Sequence, residues 1–567
     1  MMSADGVSEM ISSLRRKITE EILETAATSP RRGLVRLRPG THRRAVALLT
    51  GEFRDIGLST ITGVDLGEVL ELNYHMRHGG VILTLRTTIP ADVPEIETIT
   101  DLIPGAALYE REVYDLFGVR FINHPDLRRL LLPEDWPSDT HPLRKSWTPQ
   151  KQTSTVASRR AKIRLPKRTR SSSATGSSTL NIVLGPQHPA LHEPERFTFK
   201  VDDELVKGVE TRLGFVHRGI EKAAEGMTFI QDVYLVERIC GICNVAHSAC
   251  FCQAAEAIGG IEIPDRCRYL RTIVAELNRI HSHLLLLGVA AHELGYESLF
   301  QYIWRDREPV LDLVETITGN RVITAFNKIG GVSRDLDGQT ASRALKALKD
   351  LRKKMSFYKE VFENDPTLNL RTKGVGVLRP PDAVKLCTVG PVSRGSGIAE
   401  DVRKDDPYAA YGEMPFDVVT YANCDSWARL MVRVDEVLQS IDIVEYAVGN
   451  LPQGPVQVSI PRRLPEGEFV SRVEAPRGEL LHYVKSNGTA YPERVKFRSP
   501  TLANITSFSQ MIKGEYIADI PAVLVSLDPC FSCTDRMAFV DRGRHRRWVW
   551  SLDQINEMIR RDDLHVS

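Results

Sequence analysis

A chain of 567 residues exceeds one ordinary core and leaves room for about three or four domain-sized units. At 42% hydrophobic and 26% charged residues it has the composition of a soluble globular protein, and a net charge of +1 argues against nucleic acid as a partner. The N-terminal end holds no apolar run of signal-peptide length, and the longest apolar stretch, residues 284–291, is too short to span a bilayer. Membrane association is therefore expected to run through partners or a surface patch.

The expected fold class is α+β. Residues 8–28 have helical spacing, with Ile11, Leu14, Ile18 and Ile22 on one side. Residues 64–89 read as a hairpin, with apolar runs at 69–74 and 81–85 flanking Gly79-Gly80. Residues 109–147 are dense in charge, proline and aromatics, and a small α+β domain is expected over 1–148. Composition then shifts: residues 151–170 carry eight Lys or Arg and no acid, and 171–178 are serine with Ala, Thr and Gly. A flexible linker over 149–179 is the expectation; a basic arm touching lipid or RNA is the alternative, disfavoured because no aromatics interleave the charges. Order resumes with strand-like segments at 180–184 and 197–201. Helical patterns follow at 266–287 (Leu270, Ile273, Leu277, Ile280, Leu284), 311–325 and 341–362, so the second domain, 180–536, is expected to be mainly helical with a small β part at its start.

Nine cysteines in so long a chain do not read as a disulfide framework. Cys240-Gly-Ile-Cys243 and Cys530-Phe-Ser-Cys533 are C-x2-C pairs, a spacing that lets two thiolates converge on one ion. Four thiolates suit zinc, iron–sulfur, nickel or copper(I). Zinc knuckles separate their pairs by about 15–20 residues. Here 286 residues intervene, which favours a redox metal while leaving a structural zinc site open. Cys250, Cys252, Cys267, Cys387 and Cys424 form no second four-ligand set and read as small buried hydrophobes, Cys250-Phe-Cys252 being the best exception.

The residues around the pairs go further. The run from Arg238 to His247 resembles the first signature of nickel–iron hydrogenase large subunits, and Asp528-Pro-Cys530-Phe-Ser-Cys533-Thr-Asp-Arg536 resembles the second. The resemblance implies that Cys240, Cys243, Cys530 and Cys533 bind nickel, with Cys243 and Cys533 bridging to an iron that carries CO and cyanide. It implies a hydrogen bond from His247 to a bridging sulfur, and places Arg238 and Asp528 at the cofactor. His217-Arg-Gly-Ile-Glu221 is similar to the segment whose Glu holds a further magnesium or iron ion. Glu474-Ala-Pro-Arg477-Gly-Glu479 is similar to the segment that sets a guanidinium over the open face of the metals. The 185–194 segment resembles the loop with the proton-relay acid, here Glu193, 47 positions before Cys240.

Residues 275–284, 330–336 and 394–397 resemble the D-type subunit of respiratory complex I, while 110–118, 124–130 and 141–145 resemble its C-type subunit. A fusion of the two is similar to the large subunits of energy-converting hydrogenases of the formate hydrogenlyase type. That likeness implies reversible reduction of protons to H2, with Cys530 as thiolate base, Glu193 as relay and Arg477 as polarising cation. It also implies partners: an iron–sulfur small subunit similar to the B-type subunit of complex I, a ferredoxin-like subunit, integral membrane subunits and a maturation protease; the electron donor stays open among formate, through a formate dehydrogenase partner, reduced ferredoxin and CO oxidation. The expected place is cytoplasmic, peripheral on the inner face of the membrane. Rival expectations are a quinone-reducing complex I-like subunit, which needs no thiolate cage, and a structural-zinc scaffold. Arg536 stands where most such hydrogenases have a His that helps hold the further metal, so the ion at Glu221 is the weakest part of the likeness. Residues 537–567 are expected to be a tail removed on maturation, with an ordinary terminal helix at 552–559 as the alternative.

Overall fold

The computed structural model describes residues 6–133, 136–147, 179–188, 191 and 193–534. The basic and serine-rich stretch over 149–178, Arg536 and the 537–567 tail lie outside the described residues.

Helix α1 (Gly6–Ile18) buries Val7, Met10, Ile11, Leu14 and Ile18, the stripe that its three- and four-residue spacing demands. It ends at Ile18, short of the expected residue 28. Strand β1 (Ile22–Ser29) takes over and pairs antiparallel with β2 (Arg32–Leu37). Ile22 continues the helical spacing by position only; with Thr25 and Thr28 it supplies β-branched side chains that favour extended backbone.

Helix α2 (His42–Glu52) and strands β3 (Gly57–Asp65), β4 (Val69–His78) and β5 (Val81–Pro90) complete a five-stranded sheet in the order β1-β2-β5-β4-β3. The β4–β5 pair is the expected hairpin, closed by Gly79-Gly80 between His78 and Val81. Val64 lies outside it, in β3. Strand β4 alternates Leu70, Leu72, Tyr74 and Met76 with Glu71, Asn73, His75 and Arg77, yet both sets are buried. The polar set meets the second module: Arg77 donates to the Thr388 carbonyl at 3.1 Å, and His75 packs on Tyr483.

Short parallel strands β6 (Glu95–Glu97) and β7 (Arg120–Ile122) flank helix α3 (Ala107–Phe117). The charges of α3 are structural. Asp115 accepts the N–H groups of Leu130, Leu131 and Leu132 at 3.1, 2.8 and 2.8 Å, and Glu110 accepts that of Ile99 at 2.8 Å. Gly118 ends α3 at φ 78°, and a Cβ there would meet the His141 ring at 2.4 Å, so only glycine fits.

The second module opens with the antiparallel strands β8 (Thr179–Leu184), β9 (Arg196–Asp202) and β10 (Leu205–Arg212), in the order β10-β9-β8. Phe197 packs on Phe508 and Phe531, which ties this sheet to the second cysteine pair. The long helices Asp265–Glu293 and Gly338–Asn364 contain the expected 266–287 and 341–362. The expected 311–325 helix is instead the end of Glu297–Thr318, stopped by Gly319 at φ 90°. Helix Ser426–Gly449 packs beside Asp265–Glu293.

After a two-residue pair, β11 (Asn327–Lys328) and β12 (Gly331–Val332), comes a sheet that periodicity did not reveal: β13 (Glu466–Ala475), β14 (Gly478–Asn487) and β15 (Pro492–Arg498). It lies between helix Asn244–Gly259 and the first module, and most of its residues are buried. One apolar cluster runs from Val7 and Leu72 through Phe197 to Phe531, so the described parts of the two modules share a core. Among the described residues no helix is long and apolar enough to cross a membrane.

Candidate metal centre

Cys240 lies in the loop after helix Phe229–Glu237, and Cys243 caps the N-terminus of helix Asn244–Gly259. Cys530 immediately precedes the short helix Phe531–Thr534 and Cys533 lies within it; this helix follows helix Ile520–Leu527. Asp528 takes φ 58° between the two helices and turns the chain back toward the first pair. Asn278 of the long helix Asp265–Glu293 holds the Ile242 carbonyl at 2.9 Å, and the Cys530 N–H donates to Thr501 at 3.0 Å. The second module thus carries the two distant pairs to one point.

There the sulfurs form a continuous chain of contacts. Cys240 and Cys530 Sγ are 3.4 Å apart, Cys530 and Cys533 3.2 Å, and Cys243 and Cys533 3.5 Å. These separations exceed an S–S bond of about 2.05 Å. They approach the spacing of about 3.8 Å that follows from four ligands on metal–sulfur bonds of about 2.3 Å. All four side chains are buried. Without a cation the cluster ionises unevenly: hydrogen bonds from Cys243, Cys530 and Cys533 draw the Cys240 thiol down. The hydrogen bond to Cys240 pushes Cys243 and Cys530 up, and burial pushes Cys533 up. A thiophilic ion removes that conflict, so the donor set fits a thiolate-bound metal.

Three groups surround the sulfurs. His247 Nε2 lies 3.6 Å from Cys533 Sγ, and its Nδ1 lies 3.2 Å from His482 Nε2. Arg477 sits in the two-residue turn between β13 and β14, ahead of Gly478, which takes φ 127° and where an added Cβ would meet the Gly390 backbone at 2.9 Å, so a side chain is excluded. Its guanidinium donates to the Asp528 carbonyl at 2.9 Å, pairs with the Asp528 carboxylate at 2.7 Å and reaches Ser282 at 3.3 Å. Burial opposes its charge, but Asp528 and the thiols of Cys530, Cys240 and Cys243 outweigh that and hold it firmly protonated. Glu193 accepts the Ser532 N–H at 2.9 Å and also the Phe531 N–H and the Ser532 hydroxyl, so its carboxylate sits on the Cys530–Cys533 turn.

Other expected residues lie differently. Arg238 is more than half exposed and turns to the Tyr234 carbonyl at 2.8 Å, away from the sulfurs. The cation on the loops is Arg218, which donates to the carbonyls of Arg238 at 2.6 Å, Ile239 at 2.5 Å and Ser532 at 3.0 Å. Arg218 stood within the 217–221 motif, but only the fold shows what it ties. His482 had no sequence signal. Glu221 pairs with Arg494 at 2.8 Å, and among the described residues the groups able to hold an ion are Cys240, Cys530 and Cys533 together, and Cys243, His247 and Cys533 together. Cys250, Cys252, Cys267 and Cys387 are buried and Cys424 partly so, none of them in those groups.

Comparison with known proteins agrees with this geometry. Residues 37–153 match the family described as respiratory-chain NADH dehydrogenase, 30 Kd subunit. Residues 293–464 and 457–536 match its 49 Kd subunit, and 218–292 match nickel-dependent hydrogenase. Formate hydrogenlyase subunit 5 of Escherichia coli is 36% identical over 81% of this chain and 80% of its own. The C/D fusion subunit of NADH-quinone oxidoreductase from Phocaeicola vulgatus is 36% identical over 87% of this chain and 98% of its own. The carbon monoxide-induced hydrogenase of Rhodospirillum rubrum is 41% identical over 63% of this chain and all of its own. A solved chain of the archaeal membrane-bound sulfane sulfur reductase superposes with a TM-score of 0.61 at 32% identity, over 63% of this chain and 98% of that one. The chain therefore belongs to the oxidoreductase family that fuses a 30 kDa-type and a 49 kDa-type complex I module and that includes nickel-dependent hydrogenase subunits.

Proposed function

We propose that this chain is the catalytic large subunit of a membrane-associated nickel–iron hydrogenase that catalyses 2 H+ + 2 e− ⇌ H2. The observation that supports it most is the meeting of four buried thiols from opposite ends of the second module. Cys240, Cys243, Cys530 and Cys533 would hold the nickel, and Cys243 and Cys533 the iron with its CO and cyanide. The bound metals supply the two-electron redox chemistry.

The protein's own groups then manage protons and charge. Cys530 takes the proton, because a thiolate on a cation is a weaker base than a free one and can release it near neutral pH. Glu193, on the turn that carries Cys530, passes the proton toward solvent. Arg477, fixed by Asp528, keeps a permanent positive charge beside the sulfurs. Electrons require an iron–sulfur partner, since the chain has no second cysteine set. Membrane subunits and a ferredoxin-like subunit complete the assembly on the inner face of the membrane, with formate (through a formate dehydrogenase), reduced ferredoxin or CO oxidation as the electron source. Residues 1–148 form the domain similar to the C-type subunit of complex I, 149–179 the linker, 180–536 the catalytic module and 537–567 the tail removed on maturation.

Two relatives carry rival reactions in their names, quinone reduction and sulfane sulfur reduction. The test is metal analysis and turnover on the matured complex. About one nickel per chain and H2 evolution from reduced viologen, both lost in C240S and C530S, are expected. Zinc alone, or no metal, overturns the reading. Nickel with polysulfide reduction but no H2 moves the chain to the sulfur-reducing reaction.

A further inference from the structure

The 217–221 loop stands where the hydrogenase likeness places a further divalent ion on Glu221, and the residues around Glu221 do not fit one. Both carboxylate oxygens are already engaged. Oε2 accepts from Arg494 at 2.8 Å, and Oε1 accepts the Phe497 N–H at 3.1 Å with the Lys496 ammonium 3.6 Å away. Lys496 also pairs with Glu112 of α3 at 2.5 Å. The four charged groups are almost fully buried, and two carboxylates face two cations, so the cluster is neutral without an ion. A cavity of about 30 Å3 beside it, lined by Glu112, His217, Glu221 and Lys222 among others, has room for water. The positive side chains of Arg494, Lys496 and Lys222 would repel a divalent cation placed there.

We infer that Arg494 and Lys496 take the place of that ion and clamp the metal centre to the first module. The mechanical path can be followed bond by bond. Glu112 of α3 holds Lys496, and Lys496 and Arg494 hold Glu221. Three residues earlier Arg218 grips the carbonyls before Cys240 and between Cys530 and Cys533. Arg494 adds a hydrogen bond to the Gly63 carbonyl of β3 at 3.0 Å and packs over Phe117. The first module thereby braces both cysteine loops. Arg494 and Lys496 are positioning residues, acting through Glu221 and its loop.

The inference concerns the same centre as the proposed function, and nickel content separates the two failures. Mn2+ is the probe, added to the matured complex after dialysis against EDTA. The wild type is expected to keep its nickel and thermal midpoint through dialysis and to bind no Mn2+ that depends on Glu221. The R494Q/K496Q variant leaves two carboxylates uncompensated; it is expected to gain a stoichiometric Mn2+ signal by electron paramagnetic resonance, with a Mn2+-dependent rise in midpoint. The further change E221Q in that variant should abolish both. A wild-type complex that holds one magnesium, manganese or extra iron ion per chain, lost in E221Q while nickel remains, overturns the clamp. Should R494Q/K496Q fail to fold, the wild-type count decides by itself. Loss of nickel from every form, wild type included, counts against the proposed function instead.

Discussion

His247 faces Cys533 with one ring nitrogen and His482 with the other. A thiolate accepts hydrogen bonds, so His247 must present Nε2–H to it. Its Nδ1 is then an acceptor, which requires His482 to donate from Nε2. The buried His482 thus sets the tautomer of His247 and, through it, the electron density on the Cys533 sulfur. His482→Phe should keep nickel and lower H2 turnover about 10–100-fold. Gln, which can still donate, should restore part of it. Equal loss in both variants would mean that the ring matters only as filling. Glu193→Gln should likewise keep nickel while slowing turnover by about 100-fold or more, and unchanged turnover would remove Glu193 from the proton path. At this scale the sequence was most legible in contiguous motifs, whose four cysteines, His247, Arg477 with Asp528, and Glu193 the fold brings together. It was silent on His482, Arg494 and Lys496, which strands β14 and β15 deliver, and it put Arg238 where Arg218 acts, because the motif does not say which guanidinium turns inward.

Helix Phe229–Glu237, which leads into the first cysteine loop, carries a buried acid that the proposed chemistry does not use. Both Asp232 carboxylate oxygens lack a hydrogen-bond partner among the described residues, and burial pushes the group up to about 9. The native state therefore keeps the proton, while the unfolded chain loses it near pH 4. Stability from this site is fully present below about pH 4 and falls as pH rises toward about 9. Asp232→Asn should flatten that slope: its thermal midpoint relative to wild type should climb with pH between 5 and 9. A constant difference across that range would show that the acid is paired in solution. Asp265–Glu293 and Gly338–Asn364 follow a 3.6-residue pattern against one core and were legible. Strand β14 is buried on both faces and mixes Glu479, His482 and Tyr483 with Leu480, Leu481 and Val484, so no alternation betrays it. Strand β4 does alternate, and its Asn73, His75 and Arg77 face is buried because the second module covers it.

The linker composition suggested two domains joined by a flexible segment; the described residues of the two modules share an apolar cluster, and Glu479 of β14 is at their seam. It accepts from Ser59 of β3 at 3.0 Å and from Arg472 at 3.1 Å, and pairs with Arg498. Burial alone would raise its pKa; Arg498, Arg472 and Arg77 outweigh burial and lower it to about 2. A depressed carboxyl stabilises the fold above its unfolded value near 4.5 and loses that contribution as pH falls toward about 2. A shift of that size corresponds to on the order of 3 kcal/mol at neutral pH. Because the acid holds β3 of one module and β13–β15 of the other, its loss should be felt by both. Glu479→Gln should lower the thermal midpoint at pH 7, by an amount that shrinks toward pH 2, where the wild-type acid is itself protonated. Calorimetry should show one transition that moves as a unit, since the core of the first module is continuous with the second through the apolar cluster from Val7 to Phe531. Two resolved transitions, with only one moved by the substitution, would mean that the modules fold independently and that the seam carries no brace to the metal centre.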